Sequence, residues 1–169
     1  MDNITRVVFL DIDGVLTNVD LDGTSFCHLD PSRYKLSPIN LALLDNLLDA
    51  SDAKIVIASN WRKFKPPHTQ WLHGGKLYNS TLEPFKKMYK DCIIGMLPPE
   101  RHATKSDCLE LWFEDNPWLS KNAGKYVILD DDLNEMYQEE VTFRKHLVLT
   151  DYKVGLTKDD VQKALEILK

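Results

Sequence analysis

The sequence predicts an α/β fold, a three-layer sandwich on a mainly parallel five-stranded sheet. Three observations predict it. Runs of branched and aromatic apolar residues, VVFL at 7–10, KIVIA at 54–58 and KYVIL at 125–129, lack polar alternation, as strands buried on both faces do. Segments with apolar residues at helical spacing alternate with these runs. The runs also end abruptly in polar, chemistry-bearing residues, where open parallel sheets place their ligands.

The first run ends in Asp11-Ile12-Asp13-Gly14. Two carboxylates this close repel and are costly to desolvate unless a cation or proton is shared. A hard divalent cation such as Mg²⁺, which prefers oxygen ligands, removes the conflict. The plainer alternative is a turn carrying two solvated acids. From 18 to 37 no period is visible, and Asp20 and Asp22 read as solvated loop charges, because the downstream ligands of a calcium loop are missing. Ser37-Pro38 then suits the cap and first position of a helix. Ile39, Leu41, Leu43, Leu44, Leu47 and Leu48 give it an apolar stripe ending near Asp49.

The second run, at 54–58, ends in Ser59-Asn60-Trp61-Arg62. A right-handed crossover places this end beside the first. The Ser59 hydroxyl there can donate to a phosphate oxygen or cap the following segment. Between 61 and 79, Arg62, Lys63, Lys65, His68, His73 and Lys76 interleave with Trp61, Phe64, Trp71 and Tyr78. Such a mixture can grip an anionic, ring-bearing substrate, or it is a solvated loop with anchoring aromatics. His68 and His73 lack the partners of a zinc site.

A helix is expected over 81–90, with Leu82, Phe85, Met88 and Tyr89 on one side. A third strand follows at 92–96. Lys105 opens the next amphipathic helix, whose apolar residues are Leu109, Leu111, Trp112 and Phe113 and which ends before Asn116-Pro117. A lysine there opposes the helix dipole, a misfit that hints at another task, against the reading of an ordinary surface lysine. The fourth strand, at 125–129, runs into Asp130-Asp131-Asp132, repeating the anomaly of the first. A helix at 133–140, a strand at 146–149 and a helix from Thr157 complete the pattern. Thr157 and Asp160 resemble a capping box.

The bulk numbers agree with an ordinary globular domain. A chain of 169 residues suits a single domain spanning 1–169, with 43% hydrophobic and 28% charged residues. The net charge of -5 opposes broad attraction to nucleic acid without excluding a local basic strip. No apolar run approaches bilayer length, so no membrane partner is expected, and the N-terminal residues do not read as a signal peptide. Cys27, Cys92 and Cys108 lack metal-site spacing and read as reduced thiols, Cys92 within a strand, which suits a cytoplasmic protein.

Taken together, DIDGVLT, KIVIAS, Lys105 before a helix and ILDDD stand in an order that resembles the haloacid dehalogenase (HAD) superfamily of phosphohydrolases over nearly the whole chain. Trp61-Arg62 after the serine, with ILDDD later, looks most like the HAD domains of nucleic-acid end-repair proteins, including phage polynucleotide phosphatases. The resemblance implies a Rossmann-like sandwich and a Mg²⁺-dependent phosphatase. By that resemblance Asp11 is the nucleophile and Asp13 the acid and base. Asp11, Asp13 through its carbonyl, and Asp130 or Asp131 would hold Mg²⁺. Ser59, Asn60 and Lys105 would bind phosphate, with Trp61, Arg62 and Lys63 as further substrate contacts. Asp132 or Glu135 would assist, since the DD form departs from the family's GDxxxD form.

The intervals in which the family inserts caps are short, which implies a minimal cap or none and an open site. The substrate would be a phosphorylated molecule such as a nucleotide or a nucleic-acid 3′ end, or a small phosphomonoester or protein phosphate. Two other classes compete: a metal-binding or interaction module without turnover, and a receiver-like phosphoacceptor. The DxD pair favours hydrolysis, because Asp13 supplies an acid and base that an acceptor lacks.

Overall fold

A computed structural model describes residues 6–17, 36–60, 82, 85–98, 104–133 and 141–169. Its sheet has five strands: β1 (Arg6–Leu10), β2 (Lys54–Ile57), β3 (Ile93–Met96), β4 (Lys125–Asp130) and β5 (Leu147–Leu149). All pair in parallel, in the order β3-β2-β1-β4-β5. Helices among the described residues include α1 (Pro38–Ser51), α2 (Lys105–Asp115), the single turn α3 (Val141–Arg144) and α4 (Lys158–Ile167).

The strand sequences explain this order. The three central strands are buried along almost their whole length, and they are the apolar runs without alternation. Val8 lies opposite Ile55 on one side and Val127 on the other, and Phe9 opposite Val56 and Ile128. Successive side chains then feed opposite faces of the sheet. Val8, Leu10, Ile55 and Ile57 pack with Leu44 and Leu47 of α1 and Val161 and Ala164 of α4. Val7, Phe9, Val56 and Ile128 pack with Leu109, Trp112 and Phe113 of α2. On that second face Phe9 meets Trp112 and Tyr126 edge-on, with centroids 5.0 and 5.7 Å apart, an arrangement favoured by the ring quadrupoles.

Caps set the helix ends. Ser37 accepts from the Asn40 amide at the start of α1, and Pro38 occupies the first turn. This helix runs two residues past Asp49 and stops where Asp52 turns left-handed, with φ 52°. Full capping boxes open α2, from Thr104 and Asp107, and α4, from Thr157 and Asp160.

Several local expectations shift. Cys92 lies just before β3 and is partly buried, while Cys108 is buried; both are free thiols. Met88 and Leu111 are exposed, and Leu82, Phe85 and Tyr89 carry the packing of their segment. The aspartate Asp130 belongs to β4 rather than to the turn after it. The expected helix at 133–140 lies outside the described residues except at Leu133. So do the intervals available to a cap, apart from their edges. Among the described residues no helix is long and apolar enough to cross a membrane.

Candidate active site

The strand order gathers the polar strand ends. Leu10 pairs with Ile57 on one side and Leu129 on the other. The Asp11 amide donates to the Leu129 carbonyl at 3.0 Å, and the Ala58 amide to the Leu10 carbonyl at 2.8 Å. These bonds carry the parallel ladders one residue past the strands. Asp11 therefore stands between the ends of β2 and β4, level with Ala58 and Asp130.

Three carboxylates converge there. Oxygens of Asp11, Asp130 and Asp131 all lie within 4.8 Å of one another. Asp11 and Asp130 are buried and Asp131 is partly exposed. Into this acidic corner comes Lys105 from the first turn of α2, itself buried. Its Nζ donates to Asp11 Oδ2 at 2.6 Å and also to Asp130 Oδ2. The remaining oxygens are oriented by main chain: Asp11 Oδ1 accepts from the Ile12 amide at 2.6 Å, and Asp130 Oδ1 from the Asp132 amide at 3.0 Å.

Charge explains the protonation tendencies. Burial works against the Lys105 ammonium, but the charges of Asp11 and Asp130 and their hydrogen bonds outweigh it and raise its pKa. Burial, then the Asp11 charge, raises Asp130, with Lys105 opposing. Burial and Asp11 likewise push Asp131 up to about 6. One lysine thus faces three acids and leaves them under-compensated. An all-oxygen trio in this condition is a fitting donor set for a hard divalent cation.

A tight backbone turn presses the first strand's loop onto the third acid. Gly14 has φ +66°, and a Cβ built on it would lie 2.3 Å from Asp131 Cγ. Only glycine lets the chain pass this close. The turn is closed locally by Thr17, whose Oγ1 accepts from the Gly14 amide at 3.2 Å.

The structure brings together Asp11, Lys105, Asp130 and Asp131. Ser59 is wholly buried two residues past the end of β2. Asn60 follows it, and its Oδ1 is buried without a hydrogen-bond partner among the described residues. Asp13 is half-buried, and its carboxylate is not part of the acidic trio. Asp132 contributes its amide to Asp130 and likewise stands outside the trio. Trp61, Arg62, Lys63 and Glu135 lie outside the described residues.

Three supporting residues had no local signal in the sequence. Thr150, Asn40 and Gly155 meet the first strand's loop from positions distant along the chain. Thr150 Oγ1 donates to the Gly14 carbonyl at 2.8 Å, and Asn40 Nδ2 to the carbonyls of Val15, at 2.9 Å, and Val154, at 3.1 Å.

No curated protein and no solved structure gives a significant match to the chain. A family model does: the HAD domain in Swiss Army Knife RNA repair proteins matches residues 7–161, from β1 through the first turn of α4. With the motif order, the all-parallel sheet and the buried acidic corner in agreement over that span, the chain belongs to this family of HAD domains.

Proposed function

We propose that the protein is a Mg²⁺-dependent phosphatase that hydrolyses phosphomonoesters through an aspartyl-phosphate on Asp11, acting on nucleotides or nucleic-acid 3′ ends. The observation that carries this reading is the double contact of Lys105 with Asp11 and Asp130 beside Asp131. Phosphoryl transfer depends on positioning and on cations around the phosphoryl oxygens, and this corner offers both. The residues read as one HAD-like hydrolase domain over 1–169, supported by the single sheet and the long family match. The free thiols of Cys92 and Cys108 suit a cytoplasmic setting.

In the first step a carboxylate oxygen of Asp11 bonds to phosphorus as the ester P–O bond breaks. Asp13 gives its proton to the departing oxygen. In the second step Asp13 takes a proton from water, the water oxygen bonds to phosphorus, and the Asp11–phosphorus bond breaks to release inorganic phosphate. Asp11, Asp131, Asp130 and the Asp13 carbonyl would hold Mg²⁺, which supplies positive charge against the phosphoryl oxygens. Lys105, Ser59 and the Asn60 amide bind phosphate oxygens, and Lys105 offsets the acids that would otherwise repel them. Trp61, Arg62 and Lys63 extend the contact to the rest of the substrate.

The test is phosphate release from an aryl phosphate and from 3′- and 5′-phosphorylated oligonucleotides, with Mg²⁺ and with chelator. Asp11→Asn should remove turnover on every substrate while its circular dichroism spectrum stays that of the parent. Turnover retained in that variant would rule out the nucleophile. Neutralising Arg62 and Lys63 should weaken oligonucleotide turnover far more than aryl-phosphate turnover; equal losses would count against nucleic-acid contact. Mg²⁺ binding without hydrolysis across the panel would favour a binding module instead.

A further inference from the structure

We infer that Thr150 is a positioning residue that sets the Asp131 carboxylate for cation binding, by fixing the turn after β1 and the end of β4 at once. The inference rests on the metal-site reading above and names a residue that takes no part in its chemical steps.

Thr150 follows the last residue of β5 and is buried, 5% exposed. It makes two bonds in different directions. Its amide donates to the Asp130 carbonyl at 2.9 Å, extending the β4–β5 ladder. Its hydroxyl donates to the Gly14 carbonyl at 2.8 Å. Asp130 is the residue immediately before Asp131. Gly14 is the residue whose Cα faces the Asp131 side chain so closely that a Cβ would lie 2.3 Å from Cγ. One threonine therefore holds the peptide from which Asp131 departs and the backbone against which its carboxylate rests.

The surroundings make this a rigid support. The Leu156 amide donates to the Val15 carbonyl at 2.8 Å, and the buried Asn40 amide ties Val15 to Val154. The segment from Thr150 to Leu156 is thus stitched to residues 14–15 at three points, and Thr150 is the point nearest the acids. Partners one step removed from the ligands commonly change metal affinity about 10-fold or more when lost.

The experiment compares Thr150→Val and Thr150→Ser with the parent protein. Valine keeps the shape and the main-chain bond and removes the hydroxyl; serine restores it. The readouts are Mg²⁺ affinity by isothermal titration in the absence of substrate, kcat and KM on an aryl phosphate, and the melting temperature of the metal-free protein. Expected are Mg²⁺ affinity weakened at least about fivefold in T150V, a comparable fall in kcat with little change in KM, and recovery of most of both by T150S. Should T150V fail to fold, Thr150→Ala is judged by the same criteria.

A hydroxyl-free variant that binds Mg²⁺ within twofold of the parent overturns the inference, as does a serine variant as impaired as the valine one. A parent protein that binds no Mg²⁺ overturns both this inference and the metal-site reading. Normal parental binding with an unaffected T150V overturns this inference alone.

Discussion

Lys105 Nζ lies 2.6 Å from Asp11 Oδ2, joining the first turn of α2 to the end of β1 inside the protein. The contact resolves the apparent misfit of a lysine at a helix start. The local electrostatic cost is tolerated because the side chain leaves the helix and neutralises part of the acidic corner, while Asp107, in the capping box, restores the favourable charge. Removing one partner of a buried ion pair strands the other. Lys105→Met should therefore cost roughly 3–5 kcal/mol at neutral pH in urea unfolding of the metal-free protein. The cost should be larger above pH 7 than below it, because Asp130, raised to about 7 by burial and by Asp11, takes up a proton there and relieves the repulsion. A loss independent of pH would contradict this account.

Asp131 gives a second pH signature. Burial and the Asp11 charge push its carboxyl up to about 6 in the folded protein, from an ordinary value of 3.8. A raised folded pKa means that the folded state holds the proton more tightly than the unfolded state. The stabilisation from this group is fully present below about 3.8 and is lost as pH rises through about 6. Without metal, the stability of Asp131→Asn minus that of the parent should increase between pH 4 and 7. Saturating Mg²⁺ should stabilise the parent more than the variant at pH 7 or above. A flat difference without metal would refute the assignment.

Gly14→Ala tests the close approach. A Cβ would sit 2.3 Å from Asp131 Cγ on a backbone with φ +66°, so strain and collision act together. The left-handed conformation alone costs roughly 1–2 kcal/mol. Melting temperature should fall, and Mg²⁺ affinity should fall with it. Gly95→Ala is the control, since among the described residues its added Cβ meets nothing closer than Trp112 Nε1 at 3.9 Å. It should melt within a few degrees of the parent.

Gly155→Ala tests the support behind the site. Its Cβ would lie 1.8 Å from Asn40 Nδ2 and 2.8 Å from the Val15 carbonyl oxygen, at φ +74°. The Asn40 bonds must break to admit it, leaving buried polar groups unpaired at about 1–3 kcal/mol. In urea unfolding the variant should lose about 2 kcal/mol or more. Adding Asn40→Ala to it should cost less than Asn40→Ala costs in the parent. Additive losses would mean that the two residues act separately.

Much of this was legible because the signals are local. Val7 to Leu10 announce a doubly buried strand by lacking alternation, and Ser37-Pro38 and Thr157-Asp160 carry caps in their own side chains. Asp11 and Asp130 stood out because acids at the ends of such strands demand a reason. The Thr104-Asp107 box is equally local, with Thr104 capping the helix that Lys105 opens. Thr150, Asn40 and Gly155 were silent. Their roles arise from contacts with partners distant along the chain, 136 residues away for Thr150 and Gly14, and nothing in their own neighbourhoods encodes the partner. Leu111 and Met88 fit a helical stripe by type and still face solvent, because a stripe broader than the surface it covers leaves its margins wet.

The bond from Arg6 Nε to the Leu168 carbonyl, at 2.9 Å, has a practical consequence. Arg6 opens β1 while Asp11 follows its last residue, so positions 6 and 168 meet on the rim away from the carboxylates. A bead or sensor chip coupled through a spacer at the adjoining exposed Lys169 would leave the opposite rim facing bulk solution. Immobilised protein could then present the acidic corner even to long polymers, with the attachment clear of their approach.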